Sequence, residues 1–244
     1  MRFCLMLSMT LLFTVANGQA QSAFEQDTIK TSDGDLMITF IKHATLLMQY
    51  HGLNIHIDPV SQFADYSTMP KADIILITHH HGDHFDKKAI QAISTDSTSL
   101  VYTETCAQEL PGGLVMHNGD DTVVKSIPVK AVPAYNLVHK RDNGEFYHPK
   151  GMGNGYVLTF GDIKVYVAGD TENIPEMKKL NDIDIAFLPM NLPYTMTPEM
   201  VVDAVQMFHP KILYPYHYGQ TDVSKLINLL KGDKQTAIRV RKMP

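Results

Sequence analysis

Metal-ligating side chains are concentrated in one short stretch of the sequence. Residues 79–84 read HHHGDH and follow the apolar residues 74–77 after a single threonine, Thr78. Such an apolar run is typical of a strand buried on both faces, and histidines at alternate positions leaving a strand point the same way. His79 and His81 could therefore hold one cation, whereas His80 between them is expected to face away and not to be a ligand.

The rest of this stretch offers a second set of ligands. Gly82 is expected to permit a sharp turn after the strand, which would carry Asp83 and His84 towards a second metal position close to the first. Histidine tracts also occur as tags and as weak metal buffers, but a tag is terminal and unpatterned. An internal cluster that combines imidazoles with a carboxylate after a strand indicates a built metal site instead.

Two later strands also end in a metal-ligating side chain. Asp170 follows the apolar segment 165–169, and His217 follows the segment 212–216. Either residue alone could be a polar group that caps a strand at the surface, but the repetition indicates that both converge on the first cluster. An aspartate oxygen could then bridge two cations. The sequence thus predicts a centre with two divalent metal ions, for which the ligand types favour Zn²⁺ and tolerate Mn²⁺ or Fe.

The elements that must position these residues fall into two halves of similar order. Each half begins with a meander of strands and continues with alternating helices and strands. Strands are predicted over 36–41, 45–50, 54–57, 73–78, 100–103, 122–127, 129–133, 155–160, 163–168, 183–188 and 212–216. Helices are predicted over 86–93, after Pro175, from the N-cap Thr197 and over 223–230. This order predicts an α/β fold with two stacked sheets between helices.

Length, charge and cysteine content narrow the class of protein. The chain has 244 residues, enough for one domain with a substantial core, and no low-complexity stretch marks a second domain. The formal charge is -5, from 21 basic and 26 acidic residues, and no long basic run is present, so nucleic acid is not an expected partner. Cys106 has no adjacent histidine and is expected to be a small buried filler.

The first twenty residues have the pattern of a secretory signal. Arg2 precedes the apolar run 3–16, and the small residues Gly18 and Ala20 suit a cleavage site. We expect cleavage after Ala20, one mature domain over 21–244, export to a bacterial periplasm and no stable insertion into the membrane. An uncleaved membrane anchor is the alternative, but the apolar run is short for a spanning helix.

Together these motifs resemble the metallo-β-lactamase superfamily. The matching segments are the hallmark His-x-His-x-Asp-His at 79–84, the bridging-aspartate motif Gly169-Asp170-Thr171, the last histidine His217 and the early aspartate in Ile57-Asp58-Pro59. With Lys42-His43-Ala44-Thr45, the pattern is similar to the branch that contains ascorbate-phosphate lactonases and the phospholipase D acting on N-acyl phosphatidylethanolamines. The resemblance covers 36–218 and implies a four-layer αββα sandwich with the metals at one edge. It also implies that Asp58 orients a ligand imidazole.

One position departs from the family pattern. The superfamily normally contributes a histidine after a strand between the hallmark and the bridging aspartate, and here that place reads Val132-Pro133-Ala134-Tyr135-Asn136. His148, or as a weaker candidate His139, could fold back to replace it, because nearby glycines allow a close-lying loop. Without a replacement, the first metal would have fewer protein ligands.

His43 and His56 lie in apolar segments, where a lone histidine is often a hydrogen-bonded core residue. Because His43 belongs to the branch motif, the resemblance places it beside the metal ligands or facing the substrate. His56 is expected to be structural.

The predicted centre implies hydrolysis of a small molecule. A metal-bound hydroxide would attack an ester, lactone or phosphodiester bond, with Asp83 receiving a proton and His43 or His217 assisting the leaving group. Segments 135–147 and 193–196 are expected to form walls of the substrate pocket. A phosphodiester would need a cation near the metals, for which Lys150 and His43 are the candidates. The competing hypothesis is a non-catalytic metal-binding protein of the cell envelope.

Overall fold

Apolar strands joined by short turns build the first sheet. The structure is a computed structural model that describes residues 24–244, so the predicted signal segment and its cleavage site lie outside the described residues. The strands are β1 Glu25–Thr31, β2 Gly34–Lys42, β3 Thr45–Tyr50, β4 Leu53–Ile57, β5 Ile74–Leu76, β6 Ser99–Tyr102 and β7 Leu114–Val115. They lie in the order β1-β2-β3-β4-β5-β6-β7. Pairing is antiparallel from β1 to β4 and parallel from β4 to β7.

The second sheet repeats this plan. Its strands are β8 Asp121–Val124, β9 Ile127–Ala134, β10 Gly153–Phe160, β11 Ile163–Val167, β12 Ile185–Pro189, β13 Ile212–Tyr216 and β14 Ala237–Ile238. The order across the sheet is β14-β13-β12-β11-β10-β9-β8. Again the meander β8 to β11 is antiparallel, and the strands β11 to β14 are parallel. Each sheet therefore has a parallel half whose strands end at the same edge.

Helices cover the outer faces of both sheets. They are α1 Lys87–Ile93, α2 Glu104–Glu109, the 3₁₀ helix Pro175–Lys179, α3 Pro198–Phe208 and α4 Val223–Leu229. The predicted N-cap Thr197 accepts a hydrogen bond from the backbone of Met200, and Pro198 occupies the first turn of α3. On the inward face of α3, Val201 and Val205 pack against the second sheet. Helices α1 and α2 pack against the outer face of the first sheet.

The main core lies between the two sheets. Leu46 and Leu76 of the first sheet pack in one buried cluster with Val129, Leu158 and Phe187 of the second. Together with the outer helices, these layers make the four-layer αββα sandwich that the sequence predicts. Within residues 24–244, no helix has both the length and the apolar character needed to cross a bilayer.

Strand β1 was not predicted from the sequence. Its residues EQDTIKT are mostly polar, and its side chains alternate between exposed and half-buried positions. The strand forms because all seven residues pair with β2 at the edge of the first sheet. The two-residue strands β7 and β14 likewise depend on their neighbours in space rather than on a local pattern.

Candidate metal centre

The carboxyl ends of four strands meet at one edge of the sandwich and place the predicted ligands together. Strand β5 leads to His79, and β11 leads to Asp170. Strand β13 is followed directly by His217, and β4 is followed directly by Asp58. The four side chains are buried at 5% exposure or less, which is unusual for charged and polar residues without partners. Their convergence creates two groups of ligand atoms that share one aspartate.

The first ligand set consists of His79, His81, His148 and Asp170. The distance from His79 Nε2 to His81 Nδ1 is 3.1 Å, and that from His148 Nε2 to Asp170 Oδ2 is 3.2 Å. Asp170 Oδ2 lies 3.9 Å from His79 Nε2. A tetrahedral zinc ion bonded at roughly 2.1 Å separates its ligand atoms by roughly 3.4 Å, so these spacings suit one metal ion.

The second ligand set consists of Asp83, His84, His217 and again Asp170. Both His84 Nε2 and His217 Nε2 lie 3.3 Å from Asp170 Oδ1. Asp83 Oδ2 lies 3.9 Å from His84 Nε2 and 3.7 Å from His217 Nε2. The two imidazole nitrogens and Asp170 Oδ1 are buried and make no hydrogen bond of acceptable geometry to a described residue. Buried polar atoms that face one another in this way fit a metal ion between them.

Gly169 allows Asp170 to reach both sets. Its backbone has a φ of +65°, in the left-handed region that favours glycine. A Cβ atom at this position would lie 2.9 Å from the carbonyl oxygen of Asn154 and 3.0 Å from the Cβ of Thr78. A larger residue would therefore force the strand end away from its neighbours and displace the shared aspartate.

Three of the imidazoles are held in the neutral form that metal ligation requires. Burial lowers the pKa of His79 well below its usual value, and burial together with the neighbouring His148 lowers the pKa of His81 to about 4. Burial also lowers the pKa of His217, although Asp170 opposes the shift. Neutral imidazoles leave a nitrogen lone pair available for a cation.

His84 shows that the cluster attracts positive charge. Burial would lower the pKa of His84, but the carboxylates of Asp170 and Asp58 raise it well above the usual value. Burial would in turn raise the pKa of Asp170, yet His217 and His84 hold it well below the usual range. A metal ion would supply the positive charge that these buried carboxylates favour, in place of a proton on His84.

Asp58 orients the His84 ring, as the resemblance implied. Asp58 Oδ2 lies 2.8 Å from His84 Nδ1, so the opposite nitrogen, Nε2, is directed at Asp170. The Asp58 carboxylate is itself held by Thr78, whose backbone N–H and hydroxyl donate to it at 2.7 and 2.6 Å. A carboxylate bonded to the far nitrogen of a ligand histidine is the usual support of a metal site.

His43 lies beside the second ligand set. Its Nε2 is 3.1 Å from Asp83 Oδ2, its ring centroid is 3.5 Å from that of His217, and its carbonyl accepts the His217 N–H at 2.9 Å. Burial would raise the pKa of Asp83, but the bond with His43 and the charge of His84 lower it below its usual range. His43 thus contacts two members of the second set.

The structure brings His148 next to Asp170, in the position expected for a replacement of the family histidine, and Asn136 supports it. Asn136 Oδ1 lies 2.7 Å from His148 Nδ1 and accepts the backbone N–H of His148 at 2.8 Å. Its Nδ2 donates to Glu172 Oε1 and to the carbonyl of Tyr194, both at 2.9 Å. The alternative, His139, lies outside both ligand sets, with its Nδ1 2.8 Å from Glu172 Oε1.

Glu172 is a functional candidate that sequence reasoning missed. Its side chain is fully buried and accepts backbone N–H groups of Leu137, Val138 and His139, each at 2.7 Å. Burial would raise the pKa of Glu172, but these bonds and the bond from Asn136 lower it. The one available signal was its position two residues after Asp170, in a segment without further pattern.

The short turn after His81 differs from the expectation for Gly82. The backbone N–H groups of His84 and Phe85 both donate to the His81 carbonyl, which makes a helix-like turn. Gly82 has no left-handed φ, and a Cβ there would meet nothing within 4 Å. The prediction that glycine's conformational freedom forms this turn was therefore wrong; local hydrogen bonds do so.

A cavity of about 420 Å³ opens over the two ligand sets. Besides ligands, Arg141, Tyr147, Asn191 and Tyr194 line it. The predicted pocket segments thus contribute Tyr147 and Tyr194, whereas Tyr135 and Met196 pack into the core under α3. A larger groove of about 560 Å³ on the outer face of the second sheet is lined by no residue of either ligand set.

Lys150 is not the cation that a phosphodiester would need. Its Nζ lies 2.7 Å from Glu176 Oε1 and 3.2 Å from the hydroxyl of Tyr135, and Lys150 does not line the cavity over the ligand sets. Lys150 follows His148 by two residues in the sequence, but its side chain is paired with Glu176 and Tyr135. Of the two candidates, Lys150 is therefore excluded, and Arg141 is the one lysine or arginine among the residues that line the cavity.

The remaining single histidines and the cysteine follow the expectations. His80 belongs to neither ligand set. His56 is buried and its Nε2 lies 3.1 Å from the carbonyl of Pro70. Cys106 is a free, buried thiol whose pKa is raised to about 11 by burial.

The chain is similar to proteins named metal-dependent hydrolases. The sequence profile described as "Beta-lactamase superfamily domain" matches residues 37–217. The UPF0173 metal-dependent hydrolase of Methanopyrus kandleri is 30% identical over 201 residues, which are 75% of this chain and 84% of that protein. A crystal structure of a proposed metal-dependent hydrolase from Parabacteroides distasonis is 52% identical, with a TM-score of 0.86 over 91% of this chain and 100% of that one.

A more distant structure shares the fold. Igni18, a metallo hydrolase from Ignicoccus hospitalis, is 22% identical, with a TM-score of 0.69 over 84% of this chain and 94% of that one. At this identity the likeness concerns the fold alone.

Proposed function

Because this chain belongs to the β-lactamase superfamily, we propose that it uses two divalent metal ions to hydrolyse an ester, lactone or phosphodiester bond in a small molecule. The observation that carries the proposal is the position of Asp170, whose Oδ2 faces His148 while its Oδ1 faces His84 and His217. One carboxylate thus completes two four-residue ligand sets, an arrangement that holds two metal ions close together. Relatives named metal-dependent hydrolases support the same reaction class.

Zn²⁺ fits both ligand sets best, because imidazole nitrogens and carboxylate oxygens are its common ligands. Mn²⁺ and Fe are the alternatives that the oxygen ligands also suit. Once bound, such ions supply a water of lowered pKa and polarise the oxygen of the bond to be cleaved. His79, His81, His148 and Asp170 would hold one ion, and Asp83, His84, His217 and Asp170 the other.

Asp83 and His43 are the catalytic candidates that handle the proton. The Asp83 side chain is 48% exposed and lines the cavity, so it lies within reach of a proton that a reacting molecule releases there. Because its pKa is lowered, Asp83 passes such a proton on rather than keeping it. Its Oδ2 lies 3.1 Å from His43 Nε2, which gives the proton a short route to a second group. Through Asp83, which lines the cavity, His43 can therefore return a proton to the leaving group.

The proposed place of action is the bacterial periplasm. Arg2, the apolar run 3–16 and the small residues before position 21 support export. The net charge of -5 without a basic run favours small-molecule substrates over nucleic acid.

Metal content and turnover test this function together. The purified protein is analysed for metal per chain and assayed on an aryl ester, a lactone and bis(p-nitrophenyl) phosphate. We expect two metal ions and hydrolysis of at least one substrate. His81→Ala and Asp170→Ala should abolish turnover, whereas His80→Ala, in the same histidine tract, should retain it. A native protein with two metals and no activity on a broad panel would instead support the non-catalytic metal-binding role.

A further inference from the structure

Arg141 places an unpaired positive charge in the cavity over the ligand sets. It lines this cavity together with Asp83 and Asp170. Among residues 24–244, no carboxylate lies within ion-pair distance of its guanidinium, whereas Arg239 and Arg241 both pair with Asp27. Arg141 is exposed at the wall of this cavity, and a guanidinium that no carboxylate neutralises there is available for an anionic ligand.

The loop that carries Arg141 is held by hydrogen bonds at both ends. At its start, backbone N–H groups of residues 137–139 donate to Glu172, and at its end Asn136 accepts the N–H of His148. Between these ends, Lys140 and Phe146 form a bridge, and the Arg141 N–H donates to the Glu145 carbonyl at 2.7 Å. The same loop therefore presents a ligand histidine and a guanidinium.

Two tyrosines provide a surface beside this charge. The Arg141 guanidinium lies 5.1 Å from the ring centroid of Tyr147, which is itself 4.9 Å from the Tyr194 ring in an edge-to-face arrangement. One guanidinium nitrogen, Nη2, donates a long hydrogen bond of 3.5 Å to the Tyr147 carbonyl, and the remaining N–H groups can donate to the oxygen atoms of a ligand. The tyrosines can pack against an apolar or ring-shaped part of the same molecule.

We propose that Arg141 recognises an anionic group, phosphoryl or carboxylate, on the substrate next to the bond that is cleaved. This inference rests on the proposed hydrolytic function and narrows its substrates to anionic esters or phosphoesters. Arg141 takes the role that Lys150 cannot take, because the Lys150 ammonium is paired with Glu176. Selection for anions would come from charge-assisted hydrogen bonds at the cavity wall rather than from the metal ligands.

A matched pair of esters tests this selection. Mono-p-nitrophenyl succinate and p-nitrophenyl butyrate share the scissile bond but differ in one carboxylate, and bis(p-nitrophenyl) phosphate provides the phosphoryl case. Arg141→Ala should lower kcat/KM for the anionic substrates by about 10- to 100-fold, the range expected for one or two charged hydrogen bonds. Butyrate hydrolysis should change less than about threefold. Arg141→Lys should restore part of the anionic activity, since it keeps the charge without the planar fork.

Lys140→Ala is the matched control. This neighbouring cation contacts the ring of Phe146 at 4.6 Å and does not line the cavity, so its loss should leave the ratio of succinate to butyrate hydrolysis unchanged. If Arg141→Ala lowers kcat/KM equally for the succinate ester, the phosphodiester and the butyrate ester, the proposal is overturned.

Binding without turnover separates this proposal from the proposed function. Phenylphosphonate is titrated by calorimetry into the metal-loaded wild type, Arg141→Ala and Lys140→Ala. We expect its Kd to rise at least about tenfold in Arg141→Ala and to stay unchanged in Lys140→Ala. If no substrate is hydrolysed, the proposed function fails, yet this titration still decides the role of Arg141. An unchanged Kd in Arg141→Ala would refute it.

Discussion

Replacing Asn136 with alanine removes the acceptor that orients His148. Asn136 Oδ1 lies 2.7 Å from His148 Nδ1, which directs the opposite nitrogen, Nε2, to within 3.2 Å of Asp170 Oδ2. Without this acceptor, His148 can rotate or change tautomer, and its Nε2 no longer has one preferred direction. We therefore expect Asn136→Ala to weaken metal binding in the first ligand set while the second set stays intact.

The expected magnitudes follow from the hydrogen bonds. Loss of a group that orients a metal ligand typically costs 10- to 100-fold in affinity, or about 1.4 to 2.7 kcal/mol. In the metal-free protein, Asn136→Ala also removes four hydrogen bonds. These are two bonds to His148, one to the carbonyl of Tyr194 and a charge-assisted bond to Glu172. At about 1 kcal/mol for each neutral bond and about 2 kcal/mol for the charged one, the free energy of unfolding should fall by roughly 5 kcal/mol.

Asn154→Ala provides a control with the same burial. Asn154 is 2% exposed, like Asn136, and bonds to Asn118 and to the carbonyl of Met116, but to none of the ligand side chains. Zn²⁺ affinity is measured by competition with a chromophoric chelator, and stability is measured by urea unfolding of the metal-free proteins. Both variants should be destabilised, but only Asn136→Ala should bind one of its two ions more weakly. Equal Zn²⁺ affinity in Asn136→Ala and wild type would refute the orientation argument.

Metal removal and acid should each lower stability in a defined way. Chelation should lower the Tm, because metal binding at 100 times the Kd stabilises the folded state by about 2.7 kcal/mol. For a chain of this size, this corresponds to roughly 5 to 10 °C. Equal Tm values in calorimetric scans with and without chelator would contradict the metal centre. Burial lowers the pKa of His56 to about 4, below its usual value of 6.5. As the pH falls, the unfolded protein therefore binds a proton at this histidine before the folded protein does. The folded state loses stability between about pH 6.5 and pH 4. The free energy of unfolding should fall by about 3 kcal/mol over this range. In urea unfolding at pH 7.5 and 4.5, His56→Gln should lose less stability than the wild type. The same pH dependence in both proteins would contradict this role of His56.

The sequence by itself determined which residues could bind metal and at which edge they would meet. Strands β5, β11 and β13 are apolar segments, and each is followed within three residues by a ligand, namely His79, Asp170 or His217. A short-range pattern of apolar residues is sufficient to predict a buried strand, and neighbouring parallel strands end on the same side. The members of the two ligand sets other than His148, and two stacked sheets between helices, could therefore be predicted without coordinates.

Tertiary structure decided how the loops complete the site. His148 rather than His139 joins the first ligand set because Asn136 and the carboxylate of Glu172, 36 residues after Asn136 in the chain, hold both ends of the loop. The same contacts bring Arg141 over the cavity. A loop has no repeating pattern in its sequence, and its path depends on hydrogen bonds between residues far apart in the chain. Local periodicity predicts the buried strands, whereas such long-range bonds exist only once the whole fold has formed.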